Sequence, residues 1–437
     1  MATPASAMPG HFNQSDPGQM TPDQAWEAYR QVRSATEQFS TALSPEDQNL
    51  QSMPDASPIK WHRAHTTWFF ETFLLKPQLR GYRCFDQAYA YLFNSYYNGV
   101  GAQFPRAQRG LISRPGLEAI SRYRAHVDQA MSDWLDQSAI SPEREQRMAL
   151  LVLGLNHEQQ HQELMVTDLK HAFSHNPCWP AISKATKQVA AIQSAQWRKF
   201  PGGLVEIGAS GRGFHFDNEG PRHKVYLTPF QIASRPVTCG EFLDFIEDDG
   251  YRRPELWLAD GWAWVNEQDI SAPQYWYPTD GGWDIYTLGG RRPINPAESA
   301  SHLSFYEACA FAEWAGARLP SEAEWEHASS QASLPGVTAD DGRYHPDAVT
   351  ATGDGLDHMF GGVWEWTRSS YAPYPGFRPA VGAVGEYNGK FMANQMVLRG
   401  GSCATPAGHV RPSYRNFFYP GDRWQFSGLR LARDEAA

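Results

Sequence analysis

The chain has 437 residues, enough for two or three domains with sizeable hydrophobic cores. Apolar types make up 41%, charged types 20% and aromatics 13%, with 16 Trp, which excludes a disordered or collagen-like chain. The net charge of −10 comes without any Lys/Arg-rich run, arguing against a nucleic-acid or anionic-membrane surface, and no run of about 18 apolar residues offers a transmembrane helix.

The start, Met1 to Gly10, lacks the basic and apolar regions of a signal peptide. Cys84, Cys178, Cys239, Cys309 and Cys403 are scattered, with no C-x-x-C pair. That pattern argues against a disulfide framework or a cysteine-built zinc site, and fits a reducing cytoplasm. Glycine use divides the chain: 8 of the 37 precede residue 191. The expectation is a helical half over 20–180, a connection over 181–196, and a turn-rich half over 197–433.

Thr21-Pro-Asp-Gln24 opens the first helix with a capping box and Pro at its first position. A second helix is predicted from Ser57-Pro58 through Phe73, a third from Asp86 through Tyr97, a fourth from about Pro115 to Leu135, and a last from Ser141-Pro142 to about Phe173. Long helices with short connections predict an up-and-down bundle, an architecture that builds metal sites from facing helices. His157 and His161 sit four apart on one helix face, where two imidazoles can chelate one ion. They follow a five-residue apolar run, so their face is expected to point inward, where unpaired imidazoles are costly. A third histidine comes from the second helix, and spacing alone prefers neither His62 nor His65.

In the second half, Pro229 to Ile246 reads as a strand followed by a helix. Ser304-Phe-Tyr-Glu307 opens a helix with a capping box, and Arg318 to His327 begins another. Short strands and turns fill the remainder, a mixed fold rich in aromatics.

The segments Arg318-Leu-Pro-Ser-Glu-Ala-Glu-Trp-Glu326, Gly361-Gly-Val-Trp-Glu-Trp366, Leu398-Arg-Gly-Gly-Ser402 and Gly428-Leu-Arg-Leu-Ala432 together resemble the formylglycine-generating-enzyme (sulfatase-modifying factor) superfamily over about 197–433. That resemblance implies an α+β, C-type-lectin-like domain. The helical half resembles the DinB-like four-helix bundle, whose metal histidines lie in an A-H pattern and in H-x-x-x-H-x-E. These match Ala64-His65 and His157-Glu-Gln-Gln-His161-Gln-Glu163, so the resemblance selects His65 over His62. The pairing of the two domains, with Lys60-Trp-His-Arg-Ala-His65 and Leu92-Phe-Asn-Ser-Tyr-Tyr-Asn98, resembles the EgtB-type ergothioneine-biosynthetic sulfoxide synthases.

The family resemblance implies a non-haem Fe(II) enzyme that uses O2 to join a thiol to C2 of the imidazole of hercynine, Nα-trimethylhistidine, giving a sulfoxide. Three imidazoles leave coordination positions open, as in non-haem iron oxygenases. Glu163, about 200° around the helix from His161, is expected to serve elsewhere. The resemblance further implies a proton donor at Tyr96 or Tyr97, Gln160 near the substrate imidazole, and Arg106 and Arg109 on the thiol's carboxylate. It also implies Asn416 and Phe417 at the trimethylammonium group. Phe418 and Asp422 stand where relatives using γ-glutamylcysteine carry an Asp and an Arg, which favours free cysteine. Close alternatives are a selenoneine synthase acting on hercynine and a selenosugar, or an ovothiol-type synthase. A formylglycine-generating oxidase needs a C-terminal cysteine pair, and only Cys403 lies there. Small-molecule substrates are expected, with no nucleic acid and no membrane partner; no sequence signal sets the oligomeric state.

Overall fold

The computed structural model describes residues 17–139, 141–183, 194–333, 335–348 and 355–435. The segment Met1–Gly10 and most of the expected connection, 184–193, lie outside the described residues. The architecture is α+β: a helical N-terminal part and a C-terminal part with several small sheets. No helix among the described residues is long and apolar enough to cross a membrane, and the five cysteines are free thiols.

Four long helices form the bundle: α1 (Pro22–Thr41), α2 (Ile59–Phe70), α3 (Leu117–Ala139) and α4 (Arg144–Ser174). Helix α1 begins on the expected capping box, Thr21 accepting from the Gln24 N–H and Gln24 from the Thr21 N–H. All of α2 is buried, and it continues through a π-helical turn, Glu71–Leu75. There the Glu71 carboxylate accepts from the hydroxyls of Tyr82 and Tyr123, each at 2.7 Å. Trp68, Phe69, Phe70, Trp134, Leu151 and Leu155 fill the bundle core.

Gly154 sets the approach of α4 to α2, since a Cβ there would come within 2.7 Å of the Phe70 ring. The glycine lies one turn before His157 and so brings the histidine-bearing faces of α2 and α4 together. Glu158, on the same turn, is fully buried among cations: Arg33 Nη1 donates to it at 2.9 Å and Arg124 Nη2 at 3.1 Å. Those guanidinium groups hold its pKa below the usual carboxylate range despite burial.

The predicted third helix is a correction. Only Tyr89–Leu92 is helical, so Tyr96 and Tyr97 lie in the turn that follows rather than at a helix end. The Asn94 amide donates to the carbonyls of Tyr97 and Gly101, at 3.1 and 3.0 Å, closing a turn that the apolar run 88–97 does not announce. Arg106 and Arg109 lie in a short 3-10 helix, Arg106–Leu111.

The C-terminal part contains a sheet of β1 (Trp197–Phe200), β4 (Phe230–Ala233) and β12 (Ala432–Asp434), and a hairpin of β2 (Gly203–Ile207) and β3 (His223–Leu227). A three-stranded meander joins β5 (Trp276–Thr279), β6 (Gly282–Thr287) and β7 (Gly290–Pro293). A four-stranded sheet runs in the order β10 (Asn416–Phe418), β9 (Met396–Arg399), β8 (Trp364–Ser370), β11 (Ser427–Gly428). Helices α5 (Cys239–Glu247), α7 (Phe305–Trp314) and α8 (Glu322–Ala328) each start on a capping box, and α6 is Ala259–Glu267. The sequence motifs meet as a buried ion pair: Arg430 of Gly428-Leu-Arg-Leu-Ala432 donates to Glu365 of the Trp-Glu-Trp segment at 2.8 Å, both fully buried. Trp325 Nε1 donates to the other Glu365 oxygen at 2.6 Å.

Helix α4 joins the two parts. Its Glu163 carboxylate accepts from Trp364 Nε1 at 2.6 Å, Ser402 Oγ at 2.8 Å and Thr405 Oγ1 at 2.9 Å. Nine residues from His161, Lys170 lies 2.6 Å from His302 Nε2, its pKa pushed down to about 7 by burial.

Candidate active site

Ligand-type nitrogens of His65 on α2 and His157 and His161 on α4 all lie within 4.8 Å of one another. Each set of atoms is placed by local structure: the i, i+4 spacing stacks the α4 pair, and Gly154 lets α2 close on it. His65 Nδ1 donates to the Phe93 carbonyl at 2.6 Å, leaving Nε2 with its lone pair, 3.2 Å from His157 Nε2. Burial drives all three imidazoles toward the neutral form, His157 down to about 4, and the neighbouring rings reinforce this for His65 and His161. Neutral nitrogens converging without a carboxylate among them fit a divalent transition metal. Glu163 is occupied by its three donors in the other domain and takes no part in the cluster.

The aromatic wall around the cluster is tight. Trp61 stacks on His65 with ring centroids 4.6 Å apart, Trp68 stacks on its other side at 5.6 Å, and Phe69 stacks on His157 at 4.6 Å. These rings exclude water from one side of the cluster. The other side opens on a cavity of about 340 Å³ lined by both domains.

Every sequence-predicted site residue lines that cavity. Arg109 is buried, with its guanidinium 3.4 Å from the Trp61 ring centroid, Nη1 donating to Ser57 Oγ at 2.9 Å and Nη2 to Ser95 Oγ at 3.0 Å. Burial pushes its pKa down to about 9. Arg106 donates to the Tyr96 hydroxyl at 2.7 Å and to the Asp55 carbonyl. Neither guanidinium has a carboxylate within ion-pair distance among the described residues. A buried cation in that state is poised for an incoming anion.

Tyr97 is buried against Trp68, Phe69 and Phe73, and burial raises its phenol pKa far above neutrality. Gln160 Nε2 donates to the Tyr414 hydroxyl at 2.9 Å, across the domain boundary. Tyr414 in turn meets His409 Nε2 at 3.0 Å, and His409 Nδ1 meets Asn156 Oδ1 at 2.9 Å. On β10, Phe417 stacks on Tyr371 at 4.0 Å, and the Asn416 amide oxygen accepts the Phe417 N–H at 2.9 Å. Asp422 lies on the same cavity wall, where burial raises its pKa to about 7.

Several contributors were not apparent in the sequence. Tyr414, Tyr387 and Phe391 reach the cavity from segments without a motif, and Trp61 supports both His65 and Arg109. Trp61 lies in the Lys60 to His65 segment that carries the resemblance, but no sequence feature assigns it this supporting role.

Comparison with known proteins agrees with the two-part architecture. Residues 28–165 match the DinB superfamily, and residues 184–354 and 338–435 match the sulfatase-modifying factor enzyme 1-like domain. The chain is 32% identical over 413 residues to the hercynine oxygenase of Mycolicibacterium thermoresistibile, covering 87% of this chain and 88% of that protein. It is 32% identical over 404 residues to the hercynine oxygenase of Mycobacterium tuberculosis, covering 87% and 92% respectively. A formylglycine-generating enzyme from Streptomyces coelicolor is 32% identical over 247 residues, 47% of this chain and 77% of that enzyme.

Proposed function

The chain belongs to the hercynine oxygenase family, and on that premise we propose that it is an oxygenase of ergothioneine biosynthesis that joins a thiol to C2 of the imidazole of hercynine. The proposed reaction consumes hercynine, a thiol and O2 and yields the sulfoxide and water. Free cysteine is the proposed thiol, and Fe(II) at His65, His157 and His161 the proposed metal. The observation carrying this reading is the cluster of three neutral imidazoles opening on a cavity that also holds two guanidinium groups with no carboxylate in ion-pair contact among the described residues. Ferrous iron held there supplies the electron transfer by which dioxygen reacts with a thiolate and an imidazole.

The chain's own groups do the rest. Arg106 and Arg109 hold the carboxylate of the thiol substrate, Arg109 kept planar against Trp61 by stacking and by Ser57 and Ser95. The Gln160 amide is oriented by Tyr414, so that its oxygen is available to an imidazole N–H of hercynine. Asn416 and the ring of Phe417 line the place of the trimethylammonium group, which offers no hydrogen-bond donor and favours an aromatic surface. Tyr97 stays protonated at neutral pH and supplies a proton from within the water-excluding wall, with Tyr96, held by Arg106, beside it. An apolar ring at Phe418 limits the cavity where a γ-glutamyl extension would need polar partners.

The test is anaerobic purification followed by metal analysis, then supply of hercynine, cysteine and O2 with mass spectrometry of the product. His161→Ala is expected to lose iron and turnover together, and retained turnover would overturn the ligand assignment. Absence of a sulfoxide from any thiol would overturn the functional reading.

A further inference from the structure

His62 is the histidine that spacing could not separate from His65, and both of its ring nitrogens are engaged. Its Nδ1 lies 2.8 Å from His161 Nδ1, and its Nε2 lies 3.0 Å from Asp168 Oδ2. His62 is 2% exposed and Asp168 5% exposed, so the contact between them is shielded from bulk water.

The directions of these hydrogen bonds follow from donor and acceptor chemistry. Asp168 Oδ2 already accepts the Ser57 backbone N–H at 2.8 Å, so that oxygen acts as an acceptor. The His62 Nε2 therefore carries the hydrogen. In the neutral ring the His62 Nδ1 is then a bare lone pair, and the contact at 2.8 Å requires His161 Nδ1 to donate into it. That leaves His161 Nε2 without a hydrogen. His65 reaches the same state by another route, through the Phe93 carbonyl.

We infer that His62 and Asp168 form a positioning dyad, which fixes the ring orientation of His161 and locks it in the Nδ1–H tautomer, so that Nε2 is presented as a metal ligand. This rests on the proposed three-histidine ligand set. It assigns His62 a task of its own: with both nitrogens spent, it orients a ligand instead of being one. The Asp168 carboxylate also ties the dyad to substrate binding. Ser57, whose N–H it accepts, uses its Oγ to accept from Arg109 Nη1 at 2.9 Å. One carboxylate thus braces both a metal-binding imidazole and the loop that steadies a guanidinium.

The experiment measures affinity for Fe(II) under anaerobic conditions, and for Zn(II) as a redox-inert probe, by competition with a chelator in the full-length protein. His62→Phe removes the acceptor and keeps an aromatic ring; it is expected to weaken both metals roughly 10–100-fold. His62→Gln restores an amide oxygen and is expected to recover much of that loss. In the Zn(II)-loaded protein, nitrogen-15 spectra of the histidines should show a proton on His161 Nδ1 that loses protection from exchange in His62→Phe. Unchanged affinity in folded His62→Phe, or equal weakening in the Phe and Gln variants, overturns the dyad. If His62→Phe fails to fold, Asp168→Asn takes its place: a weaker acceptor must lower affinity, and unchanged affinity overturns the proposal. His161→Ala separates the two readings: retained metal affinity there defeats the ligand set itself, whereas loss there beside unchanged His62 variants defeats the dyad alone.

Discussion

Replacing Arg109 by methionine removes a guanidinium that stacks 3.4 Å from the Trp61 ring centroid, is bonded to two serine hydroxyls and has no carboxylate within ion-pair distance among the described residues. A charge-assisted hydrogen bond to an incoming carboxylate contributes about 1.5–3 kcal/mol, and Arg106 remains to carry part of the binding. At about 1.4 kcal/mol per decade, the thiol KM is expected to rise roughly 10–100-fold. Fold stability should change little, because the variant also removes a buried charge that has no directly paired carboxylate among the described residues, and the two hydroxyls can turn to other partners. The assay is initial-rate kinetics at saturating hercynine, with cysteine compared against cysteamine, which lacks the carboxylate, alongside thermal melts. Cysteine should lose its advantage in Arg109→Met while the cysteamine KM moves less than about threefold, being free of the contact removed. An equal rise for both thiols would refute the assignment of Arg109 to the carboxylate.

Three more outcomes are expected. Glu163→Ala strips the acceptor from Trp364, Ser402 and Thr405, and with each buried donor left unpaired costing about 1–3 kcal/mol, hydrogen exchange should accelerate at 402–405. Glu158→Ala leaves Arg33 and Arg124 buried with fewer counter-charges; Asp128 and Glu37 still pair with them, so a loss near about 3 kcal/mol is expected in denaturant titration. Asp422 has a folded pKa of about 7, above its unfolded value, so its ionisation works against the fold as pH rises toward that value. Asp422→Asn should therefore be more stable than the parent protein at pH 8, by a margin that shrinks toward pH 5; a margin independent of pH would contradict this.

The legible parts of the chain are those governed by local rules. His157 and His161 announce themselves by helical spacing, and the capping boxes at Thr21 and Ser304 mark the starts of α1 and α7. The third histidine could not be read from spacing, because His62 and His65 share a helix face and only contacts made across the bundle separate them. The helix expected over 86–97 failed for a related reason: the Asn94 amide captures carbonyls of its own turn, a local competition masked by the surrounding aromatics. Tyr414 and Asp168 were invisible because their partners are 254 and 106 residues away in sequence.

Helix α4 has 31 residues, about 46 Å of continuous rod. His157 and His161 look to one side of it, while Glu163 and Lys170, at about 200° and 180° from His161, look to the other and grip the second domain. Two of the three clustered imidazoles and the anchor of the second domain are thus gauged from a single spindle. His65 alone reaches the cluster from α2, so the spacing of the three imidazoles is set where α2 meets this rod, at the close approach of Phe70 to Gly154. The segments around Tyr387 and Phe391 complete the cavity wall from the second domain, their rings packed edge to face at 5.6 Å.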